Sequence, residues 1–236
     1  MSAQRDTLVV ATSNRGKLEE LRVLLAELPV RVRCVADVMP SPPQVVEDGA
    51  TFEENAIKKA RAVARATLML TVADDSGLEV DVLGGRPGVR SARFAHDRAT
   101  DAENNAALLA ALASLSDPVT GAIPGGSLRP GSASAGGEGF RARFRCVLAL
   151  VDPFTNGGEP RTVEGVCEGA VIGAPRGSGG FGYDPLFLVG GTDRTMAELA
   201  PHEKNRLSHR ARAFAALGPI LEQILRERAA QVARVG

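Results

Sequence analysis

The chain has 236 residues, 44% hydrophobic and 24% charged, enough to bury a sizeable core in one large domain or two small ones. Its 28 basic and 28 acidic residues cancel, which argues against a nucleic-acid duplex as the main partner and leaves room for a local basic pocket suited to a small anion. The cysteines, Cys34, Cys146 and Cys167, are odd in number and lack C-x-x-C spacing, which argues against a disulfide framework or a structural zinc site. No apolar run approaches the ~18 residues of a membrane span, and the opening "MSAQRDTLVV" lacks the apolar stretch of a signal peptide. The expected setting is therefore a reducing cytoplasm, with no membrane contact.

Leu8 to Ala11 reads as a short buried strand, and Leu18, Leu21, Leu24, Leu25 and Leu28 recur at helical spacing up to Pro29. Between them lies "ATSNRGK" (11–17). This loop has the lysine and the strand-to-helix setting of a Walker A loop, but Ala11 stands at its first glycine and Leu18 at its metal-binding hydroxyl. A helix N-terminus favours anions, so Thr12, Ser13, Asn14 and Lys17 suit a phosphate or a nucleotide sugar. The alternative is that Ser13 or Asn14 caps the helix. Val30 to Val35 alternates as a second strand, and "MPSPPQ" (39–44) is a loop by its prolines.

Thr51-Phe-Glu-Glu54 fits a capping box, opening a helix to about Ala66 on which Asn55 and Lys59 share a face. Leu68 to Ala73 reads as a strand, "DDSG" as a turn, and Leu78 to Leu83 as a returning strand, with "GGRPG" (84–88) as a second turn. Glu47 and Asp48 precede the capped helix, and Asp74 and Asp75 end an apolar strand. In an extended chain neighbouring side chains face opposite ways, so one aspartate faces a site and the other serves elsewhere. Carboxylates from two segments, with a triphosphate supplying more oxygens, are what Mg2+ prefers. A solvated turn is the competing reading.

A helix is expected from about Ala102 to Leu115, followed by a Gly/Pro/Ser-rich segment at about 116–139 that reads as a flexible surface insertion. Phe140 to Val151 is a strand pattern with apolar residues on one face and Arg141, Arg143 and Arg145 on the other; Arg161 to Ile172 is another. In "GSGGFGYDP" (177–185) the glycines allow close backbone approach. Phe181 and Tyr183 share a face if that segment is extended, which suits base stacking, and Asp184 could bond a base edge. Taken alone, two aromatics are more often core. A short apolar turn is expected at Met196 to Leu199. "EKNRLSHRAR" (203–212) places Lys204, His209 and Arg210 within two turns of a helix running from about His202 to Ala216, with Pro219 opening a last helix. A solvated basic face is the plain alternative. Ser208 and His209 point about 100° apart on a helix and make no nucleophile–base pair. Strands and helices mix without strict alternation, so the fold class is α/β (α+β) around a central mixed sheet.

Taken in series, "VVATSNRGKLEEL", "TFEENAIKKA", "ADDSGLEVDVLGGRPGVRSARF", "GFGYDP" and "TMAEL…EKNRLSHRARA" resemble the inosine triphosphate pyrophosphatase family, and most closely its bacterial dITP/XTP pyrophosphatases. Each motif is weak alone; five in order over nearly the whole chain are specific. The resemblance implies one pyrophosphatase domain over 1–236: an elongated mixed sheet flanked by helices, with two lobes and a nucleotide cleft between them. It implies a homodimer, a Mg2+ requirement, and hydrolysis of non-standard purine nucleoside triphosphates (ITP, dITP, XTP) to the monophosphate and pyrophosphate. By motif, the loop Thr12, Ser13, Asn14, Arg15, Gly16 and Lys17 contacts phosphate and sugar, and Lys59 binds phosphate. Glu47 and Asp75 are the metal-associated acids, Asp75 is the general base, and Ser76 contacts substrate. Phe181, Gly182, Tyr183 and Asp184 form the base-binding loop, and Lys204, His209 and Arg210 complete the substrate contacts. The sequence departs from the family at Val46, where many bacterial relatives carry an acid; if metal binding uses that position, Asp48 or water must substitute. Two other readings remain: a pyrophosphatase for a different modified nucleotide, and a nucleotide-binding module without turnover.

Overall fold

Two β-α-β crossovers set up the first part of the computed structural model, which describes residues 6–12, 14–26, 30–115 and 139–235. Strand β1 (Asp6–Val10) leads through helix α1 (Arg15–Leu24) to β2 (Val30–Cys34), which pairs parallel with β1. A one-turn helix α2 (Val35–Val38) and a long loop follow. Helix α3 (Phe52–Thr67) then returns the chain to β3 (Leu70–Val80), parallel to β1 on its other side. Parallel neighbours need such crossovers, and right-handed crossovers running in opposite directions put α1 and α3 on opposite faces of the sheet. The remaining elements are α4 (Asp101–Ala113), β4 (Gly139–Val151), β5 (Arg161–Ile172), β6 (Phe187–Val189), α5 (Pro201–Leu207) and α6 (His209–Val235). Six strands form one sheet in the order β2-β1-β3-β4-β5-β6, and β5 pairs antiparallel with β6. The sheet is mixed and flanked by helices, as the α/β expectation has it.

The chain divides into two compact units. The first comprises Met1–Asp75, Cys146–Gly165 and Arg210–Gly236; the second comprises Ser76–Arg145 and Val166–His209. In the first unit, Leu8 and Val10 of β1, Leu70 and Val72 of β3, and Cys146, Leu148 and Leu150 of β4 pack with Leu21 and Leu25 from α1 and its C-cap and with Phe214, Leu217 and Leu221 of α6. In the second unit, Leu78, Val80, Leu108, Leu112, Phe144, Tyr183, Phe187 and Met196 form a separate core.

Several boundaries differ from the sequence reading. Helix α1 starts three residues earlier than Leu18 because Asn14 caps it, its Oδ1 accepting the Lys17 N–H at 3.0 Å. Its far end falls at Leu24; Leu28 and Pro29 lie outside the described residues. Thr51 does cap α3, accepting the Glu54 N–H at 3.1 Å, but Glu54 accepts from Ala50 rather than Thr51, so the capping box is not reciprocal. "DDSG" is no turn: β3 runs unbroken from Leu70 to Val80, and Asp81–Leu83 is a short 3-10 turn rather than strand. The aspartates have cationic partners within the fold and do not need water. At the C-terminus the break comes at Ser208, whose extended backbone ends α5, and α6 runs straight through Pro219. Pro219 cannot donate to Ala215, an exposed residue, while buried Leu217, Leu221 and Ile224 hold the helix. The segment 116–138 lies outside the described residues. The three cysteines are buried and free, and no described helix is long and apolar enough to cross a membrane.

Candidate active site

The chemistry of the first unit gathers at the end of its share of β3. Strand alternation turns Asp74 toward the face that carries α1 and α6, and Asp75 toward the face that carries α3. Both are buried. Asp74 meets Lys17 Nζ at 2.9 Å and Arg210 Nε at 3.5 Å. Arg210, itself buried, also donates to Glu20 at 3.0 Å. Burial alone would raise the Asp74 carboxyl, but the charges of Lys17, Arg210 and Lys59 outweigh it and hold the group well below the ordinary aspartate range.

Asp75 meets a different set. Lys59 Nζ lies 3.0 Å from Asp75 Oδ1 and 2.8 Å from Glu47 Oε2, bridging the two carboxylates. Asn55, fully buried, donates to Asp75 Oδ2 at 3.2 Å and accepts the Gly49 N–H at 2.8 Å, tying the Glu47 loop to the strand. The α3 face shared by Asn55 and Lys59 thus does what its spacing suggests. Here the two acids part. Burial raises the Asp75 carboxyl and the Glu47 charge adds to the rise, against the pull of Lys59 and Lys17. Burial also raises Glu47, but Lys59 overcomes it and the net direction is down. Two neighbouring carboxyls whose ionisations are pushed apart are the arrangement from which a general base is drawn. Lys59 is held protonated: burial lowers it, and Asp75, Asp74 and Glu47 together raise it further.

Asn14 is occupied as the helix cap, Thr12 Oγ1 accepts the Asn14 N–H at 3.2 Å, and Ser13 lies outside the described residues. Arg15 and Gly16 form the first turn of α1. Lys17 is the group the loop brings to the acids. Val46 points away, 74% exposed, and Asp48 pairs with exposed Lys58 at 2.6 Å, so Asp48 does not stand in for the missing acid.

The second unit holds the aromatic loop. Phe181 and Tyr183 do not share a face, because Gly180 and Gly182 have positive φ and the segment is not extended. Tyr183 is core: it is buried and its hydroxyl donates to the Ser91 carbonyl at 2.8 Å. Phe181 alone is left half-buried, with Lys204 Nζ 5.0 Å from its ring centroid. Asp184 is buried and turned inward, accepting from Lys204 Nζ at 2.7 Å and from the Phe181 N–H at 3.0 Å, so it organises the loop rather than offering itself to a base edge. A Cβ on Gly180 would stand 2.0 Å from Asp184 Oδ2, which leaves only glycine there. Lys204 on α5 and His209 on α6 are on different helices, contrary to the single-helix reading. His209 stacks on Phe144, with ring centroids 4.8 Å apart. Ser76, half-buried, follows Asp75 in β3 and opens the second unit.

Three contributors escaped the sequence reading: Glu20, and the pair Asp101 and Asn105, which bond the Gly182 peptide at 2.7 and 3.0 Å. The four-residue spacing of Asp101 and Asn105 at the start of a helix was the available signal.

A model of the Ham1 family matches residues 8–122 and 132–220, and the interruption falls inside the Gly/Pro/Ser-rich segment. The chain belongs to the Ham1 family. It is 46% identical over 219 residues to the dITP/XTP pyrophosphatase of Syntrophobacter fumaroxidans, covering 93% of this chain and 83% of that protein. It is 44% identical over 218 residues to the dITP/XTP pyrophosphatase of Geobacillus kaustophilus, covering 92% and 95%. The solved structure of a HAM1 protein from Coxiella burnetii superposes with a TM-score of 0.76 at 39% identity, covering 92% of this chain and 99% of that one. Membership of the Ham1 family agrees with the resemblance carried by the five motifs.

Proposed function

We propose that this Ham1-family chain is a Mg2+-dependent nucleoside-triphosphate pyrophosphatase. It acts as a single domain on non-standard purine nucleotides such as ITP, dITP and XTP. The observation that carries the reading is Lys59, set between Glu47 and Asp75 at 2.8 and 3.0 Å. Two carboxylates there already share one cation, and their donor set is oxygen only. Mg2+ takes one or two protein carboxylates and fills its shell from substrate phosphates and water, so Glu47 and Asp75 fit it. When bound it would offset phosphate charge.

The chain's own residues do the rest. Asp75, buried and held in place by Asn55 and Lys59, orients a water molecule and accepts its proton. Lys17 and Lys59 neutralise charge on the phosphates, with Lys17 drawing on the exchange of Asp74 for substrate as its partner. Phosphoryl chemistry asks mainly for such positioning and neutralisation. The Phe181 ring offers a stacking surface on a loop whose Phe181 and Gly182 N–H groups are held by Asp184 and Asp101, and Lys204, His209 and Arg210 supply donors for a 6-oxo purine. An adenine 6-amino group would leave such donors unsatisfied. Sequence relatives named dITP/XTP pyrophosphatase support the substrate class. A homodimer and a cytoplasmic location complete the proposal on the strength of the family resemblance.

A product assay tests it. ITP, XTP, dITP, GTP, ATP and dUTP are supplied with and without Mg2+, and pyrophosphate and orthophosphate are quantified separately. Pyrophosphate from ITP and XTP, with little from ATP or GTP, is expected. Orthophosphate as the direct product would place the cleavage at another phosphorus and overturn the mechanism.

A further inference from the structure

The peptide of Gly182 is held on both sides by helix α4. Asp101 Oδ2 accepts the Gly182 N–H at 2.7 Å, and Asn105 Nδ2 donates to the Gly182 carbonyl at 3.0 Å. The two residues are four apart on one helix, so they present neighbouring side chains to the same target. The first bond is charge-assisted and short. Gly182 has a φ of 62°, and glycine loses more conformational freedom on ordering than any other residue. A freely jointed glycine beside Phe181 would let the ring wander; the clamp removes that freedom before any ligand arrives. The clamp is not part of the capping of α4. That task falls to Thr100 and Glu103, which satisfy each other's backbone through a reciprocal capping box. Asn105 also keeps its Oδ1 buried with no hydrogen-bond partner among the described residues. A buried acceptor left without a donor is unfavourable. It is tolerated when the other end of the side chain has a task, and here that end grips Gly182.

We propose that Asp101 and Asn105 are positioning residues for purine recognition: they pre-set the Gly182 peptide, and through it the Phe181 ring that holds the base against its donors. The inference rests on the assignment of Phe181 to Asp184 as the base-binding loop. Pre-organisation lowers the ordering that binding must otherwise impose, and a group that aids ground and transition states equally appears in KM rather than kcat.

The test compares four variants of the full chain with ITP and ATP. Asp101→Ala is expected to raise KM for ITP about tenfold, the equivalent of one charge-assisted bond, with kcat within about twofold. Discrimination between ITP and ATP in kcat/KM is expected to fall. Asp101→Asn retains an acceptor and is expected to restore KM to within a few-fold of the original. Asn105→Ala probes the other arm, with a smaller rise in KM, and keeps the proposal testable if Asp101→Ala folds poorly. Glu103→Ala weakens the start of α4 without touching Gly182; it is expected to lower Tm and leave KM unchanged. An unchanged KM in both Asp101→Ala and Asn105→Ala, or an equal rise in Glu103→Ala, would overturn the proposal. Amide exchange at Gly182, measured without nucleotide, separates the two levels of inference. Faster exchange in Asp101→Ala shows that the clamp holds the loop even if the parent protein hydrolyses no purine triphosphate, in which case the functional assignment fails and the clamp's role in purine recognition fails with it. No change in exchange would remove the clamp itself.

Discussion

In β3 a single step along the chain turns the side chain to the other face of the sheet, so Asp74 meets Lys17 and Arg210 while Asp75 meets Lys59 and Asn55. Their ionisations diverge accordingly, and that divergence can be measured. Asp75→Asn keeps the size and the hydrogen bond to Asn55 but cannot accept a proton. We expect kcat to fall by roughly 10²–10⁴, the usual contribution of a general base, with nucleotide affinity by calorimetry little changed; a fully active variant would remove Asp75 from that role. Because burial raises the Asp75 carboxyl, its titration in the metal-free protein, followed by NMR, should lie above the ordinary aspartate range. Asp74 behaves in the opposite sense. Its folded pKa is depressed by Lys17, Arg210 and Lys59, so its stabilisation is complete above the ordinary aspartate range and is lost as pH falls through that range and below it. Asp74→Asn leaves buried Arg210 and half-buried Lys17 short of a carboxylate and should cost about 3 kcal/mol at pH 7. The gap from the parent protein in urea unfolding should narrow as the solution is acidified toward pH 3; a gap that is constant with pH would contradict the charge argument.

At the scale of elements, the helices and strands were largely legible because their signals are local. Leucine spacing, the Thr51 cap and the alternation of Phe140 to Val151 all report the chain's own period, 3.6 or 2. The misreadings came where a distant partner changed the local rule. Asp-Asp-Ser-Gly turn chemistry governs an exposed "DDSG", yet here cations from α1, α3 and α6 keep both aspartates in strand. Pro219 marks a helix break when nothing else holds the segment, yet the buried side chains on either side of it carry α6 through. The same helix offers a test. Gly218 sits in its interior, and a Cβ there would meet nothing within 4 Å. Gly218→Ala should therefore stabilise the protein by about 0.5–1 kcal/mol through helix propensity. The urea midpoint should rise with m unchanged; a fall would mean that the helix bends at Gly218 in a way alanine cannot follow.

For the whole molecule, the two compact units are not successive stretches of sequence. The chain passes between them at Asp75 and Ser76, at Arg145 and Cys146, at Gly165 and Val166, and at His209 and Arg210. The first unit holds the acids and the lysines Lys17 and Lys59, and the second holds the aromatic loop and Lys204. If Mg2+ acts as proposed, chelation with EDTA should abolish pyrophosphate release and leave the far-ultraviolet circular dichroism unchanged, because the cores of both units are built from apolar side chains and close without the ion. Loss of secondary structure on chelation would instead assign the metal a structural part. The proposed homodimer is checked by light scattering in solution, where a mass near 24.6 kDa would refute it.

By itself the sequence determined the order and type of most elements, the family, and the residue types available for chemistry, because periodicity, caps and motif order are written in short stretches. Tertiary structure decided which charge meets which. It took the folded sheet to set Arg210 between Glu20 and Asp74, to hold Asp184 inward on Lys204, to bury Tyr183 and leave Phe181 half-exposed, and to bring Asp101 and Asn105 onto Gly182. Those pairings join residues far apart along the chain, and whether a carboxylate is solvated, caged or raised in pKa depends on neighbours that no local pattern encodes.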